Sequence, residues 1–168
     1  IKAESCQGVG TRFTVTVSLE TASKEDVYKE QEKQPDMAVI RGKRILLAED
    51  NELNAEIAIE LLQEEGFLVE LATDGQECFD MLDQAEEGYY DLILMDIQMP
   101  NVNGYEATVK IRQMENDKKA QIPIVAMTAN VFAEDRKLAL DLGMNGHISK
   151  PIDMKKVRKV LYNILNAE

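Results

Sequence analysis

Three acidic side chains, a hydroxyl and an amine follow apolar runs of the sequence at positions that could form one reactive site. Asp96 ends a continuous apolar run, and Glu49 and Asp50 follow an earlier one. Thr128 ends a third run, and Lys150 follows a fourth. A carboxylate placed where a buried strand stops is held rigidly and still faces water. Because the carboxyl ends of parallel strands meet at one edge of a sheet, we expect a small site there.

Clustered carboxylates suit a hard divalent cation such as Mg2+, which prefers oxygen ligands. Without a counter-charge the carboxylates would repel one another and some would take up protons, a cost that a bound ion and Lys150 relieve. Asp96 could then attack an electrophile, for which phosphorus is the best candidate. Thr128 can donate a hydrogen bond to one phosphoryl oxygen, and Lys150 can pair with another. Such a set suits phosphoryl transfer, which depends mostly on positioning and charge neutralisation.

From residue 43 onward, the elements that must position this site alternate between strand and helix. Apolar runs predict strands that end at residues 48, 72, 95, 127 and 149, and each is followed by a stretch with helical spacing. Five strands alternating with five helices, joined by right-handed crossovers, predict an α/β protein. We expect a three-layer, doubly wound, five-stranded parallel sheet with helices on both faces.

The first 42 residues have a different pattern. Apolar and polar residues alternate from Arg12 to Leu19, which predicts a half-buried strand, and Gly8 and Gly10 predict a turn before it. Residues 21–42 are rich in charged and amide side chains and predict a linker, with transient helix over 24–33. Because the chain begins at Ile1 rather than at a methionine, we expect it to be part of a longer protein.

Composition narrows the class of protein. The chain has 168 residues, 45% of them hydrophobic and 30% charged, which is typical of a soluble globular domain. A formal net charge of −12 disfavours direct contact with nucleic acid. No apolar stretch is long enough to span a bilayer, so we expect a cytoplasmic segment without membrane contact, although the parent protein could be anchored in the inner membrane. Cys6 and Cys78 are expected to be free thiols.

Five short motifs together resemble the receiver domain of two-component response regulators. The resemblance runs from about Arg44 to Asn166, and the motifs occur in the expected order. They are Leu-Ala-Glu-Asp-Asn at 47–51, Leu-Met-Asp-Ile-Gln-Met-Pro at 94–100, Asn-Gly at 103–104, Met-Thr-Ala at 127–129 and Ser-Lys-Pro at 149–151. Each motif alone is weak, but five in sequence on matching strand ends are highly specific.

The resemblance implies a flavodoxin-like receiver fold and a role for each site residue. Asp96 would be the phosphoacceptor, and Thr128 and Lys150 would bind the phosphoryl group. Glu49 would act on the metal mainly through bound water. The Mg2+ ligands would be Glu49, Asp50, Asp96 and the backbone carbonyl of Gln98.

The resemblance also implies a conformational switch. Phosphorylation would draw Thr128 toward the phosphate and repack His147, which stands where receivers usually carry an aromatic residue. Glu49 is a longer variant of the usual first acid, and Asn103 replaces a frequent Asp. Gln98 and Asn130 occupy positions that influence access of hydrolytic water, and the Lys150–Pro151 bond is expected to be cis.

A second resemblance lies at the start of the chain. Ser5, Phe13 and the Gly-Val-Gly-Thr segment at 8–11 resemble the last glycine box and closing strand of a histidine-kinase ATP-binding domain. That order is similar to hybrid sensor histidine kinases, so we assign residues 1–20 to a kinase remnant, 21–42 to a charged linker and 43–168 to a receiver. Without the rest of the nucleotide site, this piece is expected to catalyse only phosphorylation and dephosphorylation of its own aspartate.

The predicted function is therefore Mg2+-dependent transfer of a phosphoryl group from a phosphohistidine to Asp96. The expected partners are a histidine kinase dimerisation domain, a histidine phosphotransfer protein, or both, and the sequence makes no prediction of oligomeric state. One alternative is the receiver of a separate response regulator.

Two further alternatives come from other classes. A Mg2+-dependent aspartyl phosphatase resembling haloacid dehalogenases would need an acid where Gln98 stands, and a nucleophile on the first strand. A flavodoxin-like FMN carrier would need a phosphate-binding loop after the first strand, where the acidic residues 49–52 would repel the anion.

Overall fold

The computed structural model describes residues 1–6, 8, 10–17, 40–129 and 133–166. The chain divides into two compact units, Ile1–Gln34 and Pro35–Glu168. The expected transient helix over 24–33, most of the expected linker and Asn130 lie outside the described residues. In the described ranges, none of the helices combines the length and apolar character that a membrane span requires.

The first unit contains an antiparallel hairpin of β1 (Lys2–Cys6) and β2 (Gly10–Thr14). Gly8 lies in the turn with a positive φ of 81°, which glycine adopts without strain. The predicted strand over 12–19 instead begins at Gly10 and ends at Thr14. The strand β1 was not predicted, because its sequence lacks apolar alternation.

The predicted half-burial of this strand is wrong. Phe13, Val15 and Val17 are between 62% and 71% exposed. In the described part of the unit β2 pairs with β1 alone, and a two-stranded hairpin provides no second layer that could cover one of its faces.

The second unit confirms the predicted five-stranded parallel sheet with helices. Its elements are β3 (Arg44–Ala48), α1 (Glu52–Glu64), β4 (Leu68–Ala72), α2 (Gly75–Gln84), β5 (Leu92–Asp96), α3 (Gly104–Arg112), α4 (Asp117–Ala120), β6 (Ile124–Thr128), α5 (Ala133–Asp141), β7 (Gly146–Ser149) and α6 (Met154–Leu165). The strand order is β4-β3-β5-β6-β7, and every neighbouring pair is parallel. The short helix α4 adds a sixth helix to the five predicted, because four residues are too few to show a helical period.

Each face of the sheet has its own apolar core, because successive strand residues point to opposite faces. On one face the strand side chains pack against helices α2, α3 and α5, through residues that include Leu46, Ile93, Cys78, Ala107 and Ala139. On the other they pack against α1 and α6, through residues that include Ile45, Leu92, Leu62, Val157 and Leu161. The three strands β3, β5 and β6 are therefore covered on both sides.

The helices that follow β3, β4 and β5 begin with side-chain caps. Asn51 accepts a hydrogen bond from the backbone N–H of Asn54 at 3.0 Å. Asn103 forms a capping box with Glu106, in which each side chain accepts from the other residue's N–H. These caps fix where each chain segment turns from a strand end into a helix, so they set the rim around the carboxyl edge of the sheet.

Candidate functional site

The side chains predicted to form a site stand at the carboxyl ends of four adjacent strands. Glu49 and Asp50 follow β3, Asp96 is the last residue of β5, and Thr128 is the last residue of β6. Lys150 follows β7, directly after Ser149, which is in register with Thr128. Since these strands are neighbours in the sheet, residues up to 101 positions apart in the sequence reach one edge.

Lys150 bridges two of the three acids. Its Nζ lies 2.6 Å from Oδ2 of Asp96 and 2.5 Å from Oε2 of Glu49. The lysine is held by its backbone, since its N–H donates to the carbonyl oxygen of Thr128 at 2.8 Å, and its bond to Pro151 is cis. The ammonium is therefore fixed between the acids that end two neighbouring strands.

The bridge is largely withdrawn from solvent. The side chains of Glu49, Asp96 and Lys150 are 2%, 8% and 18% exposed. Burial lowers the pKa of the Lys150 ammonium, but the hydrogen bonds and charges of Asp96 and Glu49 outweigh that effect and hold the pKa above its ordinary value. Lys150 therefore stays charged at neutral pH, which the buried acids require of it.

The acids meet the requirements of a hard cation. Glu49, Asp50 and Asp96 each offer a carboxylate oxygen, and these oxygens lie within 4.8 Å of one another. Two of these acids are buried and Asp50 is exposed, so an ion could enter from the solvent side. One lysine against three carboxylates leaves negative charge that a divalent cation would balance, and oxygen is the ligand that Mg2+ prefers.

The backbone that follows Asp96 bends back toward the carboxylate of this residue. The backbone N–H of Gln98 points to Oδ1 of Asp96 at 3.3 Å. Gly104, at the start of α3, packs so closely that a Cβ there would lie 2.2 Å from the carbonyl oxygen of Asp96. Only glycine fits at this position, so the entry into α3 depends on the Asn-Gly pair that the sequence singled out.

The loop between β5 and α3 also forms hydrogen bonds with the start of α2. The N–H of Gly75 donates to the carbonyl oxygen of Val102 at 3.0 Å, and the amide of Asn101 donates to Asp74 at 2.8 Å. Asn101 has a positive φ of 60°, a conformation that Asn tolerates better than most residues. Sequence reasoning missed this support, although the Asp-Gly pair at 74–75 was a local signal.

Sequence reasoning also missed Asn54. Its amide Nδ2 donates to Oε1 of Glu49 at 3.0 Å, so each oxygen of that buried carboxylate has a side-chain donor. The only available signal was the position of Asn54 in the first turn of the helix that follows Glu49.

His147 lies near the middle of β7, in register with Ala126 of β6, and is half-buried. Burial, and to a lesser degree the positive charge of Arg136, lower the pKa of its imidazole below the ordinary value. The surroundings therefore disfavour the charged form of the side chain at the position that the resemblance assigns to a switch.

Comparison with known families decides the classification. A family model described as the response regulator receiver domain matches residues 45–162, which is more than two thirds of the chain. The chain belongs to this family. The matched range of the receiver contains Glu49, Asp50, Asp96, Thr128 and Lys150.

Curated relatives of this receiver include histidine kinases. Hybrid signal transduction histidine kinase I of Dictyostelium discoideum is 37% identical over 127 residues, which are 74% of this chain and 7% of the relative. Sensor protein EvgS of Escherichia coli O157:H7 is 32% identical over 154 residues, which are 92% of this chain and 12% of the relative. The chain thus spans only a small part of the curated relatives it matches.

Solved structures show the same fold. The receiver domain of a sensor histidine kinase from Pseudomonas aeruginosa PAO1 is 35% identical with a TM-score of 0.67, and the match covers 75% of this chain and 99% of that one. That crystal structure has a magnesium ion coordinated in the active site cleft. A co-crystal structure of the Saccharomyces cerevisiae histidine phosphotransfer protein Ypd1 with the receiver domain of Ssk1 contains a match of 30% identity and TM-score 0.64, covering 72% of this chain and 88% of that one.

Proposed function

We propose that this receiver accepts a phosphoryl group from a phosphohistidine on Asp96 as one step of a two-component phosphorelay. The observation that carries the proposal is the buried bridge from Lys150 to Asp96 and Glu49, with Asp50 beside it at the open side of the site. This arrangement combines a nucleophilic oxygen, a fixed positive charge and an excess of carboxylates.

The transfer is a displacement at phosphorus. A carboxylate oxygen of Asp96 forms the new P–O bond while the P–N bond to the donor histidine breaks, and the electron pair of that bond returns to the imidazole nitrogen. The product is an acyl phosphate, which a second histidine or water can attack later. The protein's contribution is to hold the nucleophile in place and to neutralise charge on the phosphoryl oxygens.

Two side chains would bind the phosphoryl group. Lys150 would pair with one of its oxygens, since the ammonium already contacts Asp96 at 2.6 Å and stays charged. Thr128, at the end of the adjacent strand, would donate its hydroxyl to another oxygen. We further propose that phosphorylation draws Thr128 toward the phosphate. This movement would repack His147 and so alter the surface formed by α5, β7 and α6.

Glu49, Asp50, Asp96 and the backbone carbonyl of Gln98 would hold Mg2+, with Glu49 acting mainly through water. When bound, the ion supplies positive charge against the phosphoryl oxygens. The carboxylate cluster fits such an ion, and the magnesium ion in the related Pseudomonas receiver supports the assignment.

We also propose that the receiver comes from a hybrid histidine kinase and exchanges phosphoryl groups with a kinase dimerisation domain or a histidine phosphotransfer protein. The match to EvgS spans 154 residues and must therefore extend well ahead of residue 45, into the region assigned to the linker and kinase remnant. The complex of Ypd1 with a related receiver supports the kind of partner. A receiver from a separate response regulator is the alternative, and the coding sequence upstream of Ile1 distinguishes the two.

The central test is phosphorylation by a small phosphodonor. Incubation with acetyl phosphate and Mg2+ should add the mass of one phosphoryl group, and hydroxylamine should remove it because the product is an acyl phosphate. Asp96→Asn should abolish the adduct, and Asp50→Ala should abolish Mg2+ binding. An adduct that persists in Asp96→Asn would reject Asp96 as the phosphoacceptor.

A further inference from the structure

We propose that Asn54 is a positioning residue for the metal site, acting by fixing the orientation of the Glu49 carboxylate. The inference rests on the proposed binding of Mg2+ and assigns a role to a residue outside the proposed ligand set. The side chain of Asn54 donates a hydrogen bond to Glu49.

The carboxylate of Glu49 is held from two sides. Its Oε2 accepts from Lys150 at 2.5 Å and its Oε1 accepts from the amide of Asn54 at 3.0 Å. Lys150 comes from the end of β7, and Asn54 comes from the first turn of α1. Glu49 itself is 2% exposed, so these two donors largely determine which way its oxygens face.

The position of Asn54 is fixed by the start of the helix. Asn51 caps α1 by accepting the N–H of Asn54 at 3.0 Å, which sets the first turn. The side chain of Asn54 is therefore presented toward Glu49 although the residue as a whole is exposed. An amide suits this position because it donates a hydrogen bond without adding charge, whereas a second cation would compete with the metal.

Glutamate makes such a donor necessary. It has one methylene more than aspartate and hence one more rotatable bond, so its carboxylate has more ways to turn away from a bound ion. Groups that orient metal ligands raise affinity because they remove this freedom before the metal binds. Asn54 thus compensates at the first acidic position for the longer side chain.

The first measurement is Mg2+ affinity by titration calorimetry. Asn54→Ala should weaken Mg2+ binding about 10-fold, the lower end of the range for groups that orient metal ligands. Gln63→Ala removes an exposed amide from the same helix more than two turns away and should leave the affinity unchanged. Urea unfolding in EDTA shows whether both variants remain folded.

A double-mutant cycle separates positioning from a general structural role. In a Glu49→Asp background the side chain is one methylene shorter and does not reach the amide of Asn54. Asn54→Ala should then change Mg2+ affinity less than about 2-fold. An equal loss in both backgrounds, or no loss in the single variant, would overturn the inference. If the unmodified protein binds no Mg2+, the metal part of the proposed function fails and this inference fails with it.

Discussion

Both edges of the parallel sheet carry lysine–carboxylate pairs at short distances, but their surroundings differ. At the amino edge, Lys43 lies 2.8 Å from Asp91, and the two side chains are 41% and 25% exposed. At the carboxyl edge, Lys150 lies 2.5 Å from Glu49 and 2.6 Å from Asp96, whose side chains are 2% and 8% exposed. Distance therefore does not distinguish the two edges; burial and charge balance do.

The pair of Lys43 and Asp91 at the amino edge is balanced in charge. Asp91 accepts from Lys43 and also from the backbone N–H of Arg44 at 2.7 Å, so one acid has one cation and a backbone donor. The carboxyl edge instead gathers three acids around one lysine. The fold thus holds negative charge there that its own residues do not neutralise, which costs stability but fits the cation binding and the phosphoryl transfer to Asp96 that we propose.

The largest effect on stability is expected at Lys150. Lys150→Met removes the ammonium from between two buried carboxylates, and breaking a buried pair in this way typically costs about 3–5 kcal/mol. We expect a fall of that size in the free energy of unfolding, measured by urea denaturation in EDTA at neutral pH. EDTA matters because a bound divalent cation would take over part of the lost charge.

Lys43→Met is the matched control at the other edge. Asp91 would keep its bond from Arg44 and has access to water, so the loss should stay below about 1 kcal/mol. Comparable losses in the two variants would show that burial does not separate the edges, and the contrast between them would be lost.

The second-largest loss of stability is expected from replacing a glycine by alanine, and each edge of the sheet offers one glycine for this comparison. In Gly104→Ala the new Cβ would lie 2.2 Å from the backbone oxygen of Asp96 and 3.0 Å from Cα of Ile97, so backbone atoms must move. We expect a destabilisation of about 3 kcal/mol, the upper part of the usual range for overpacking. Slower phosphorylation by acetyl phosphate should accompany it, because the backbone of Asp96, the proposed phosphoacceptor, shifts.

Gly146, the first residue of β7, gives the control at the amino edge. A Cβ there would meet the side-chain tip of Ile164 at 3.1 Å, which can move aside. Gly146→Ala should therefore cost less than about 1 kcal/mol. If the two alanine variants were equally stable in urea, the close packing around Asp96 would not be a constraint specific to the site.

The carboxyl edge could be predicted from sequence because its signals are local. Buried parallel strands are continuous apolar runs, so their ends can be read from composition, and the predicted ends fall within one residue of the observed ones. Because the carboxyl ends of parallel strands lie at one edge of a sheet, Asp96 and Lys150 could then be placed at the same edge. The chemistry of the site could be predicted from residue type, because clustered acids and an amine indicate a limited range of reactions.

Other features depend on geometry that sequence patterns do not show. The contact from Asn54 to Glu49 requires the side-chain direction in one helical turn, and α4 is too short to have a period. The strand β1 forms through pairing with β2, although its own residues favour no regular structure. The half-burial predicted for β2 was wrong because alternation shows which residues share a face and does not show what covers that face.

His147 tests how far the negative charge of the carboxyl edge extends, and its effect should be the smallest of the three. It is the single histidine of the chain, so its titration by NMR can be assigned without ambiguity. Burial and Arg136 lower its pKa from the ordinary value of 6.5. As pH falls below 6.5, the unfolded chain takes up the proton first, so the folded protein loses stability through this group until the folded-state pKa is passed.

His147→Phe removes that dependence. The difference in unfolding free energy between the unmodified protein and His147→Phe should be constant above pH 6.5 and should shift in favour of the variant as pH falls below it. A midpoint at or above 6.5 would mean that the carboxylates at the end of the sheet stabilise the imidazolium from a distance. The excess charge would then act on the middle of β7 as well as on its own edge, and the site would be less local than the buried bridge at Lys150 indicates.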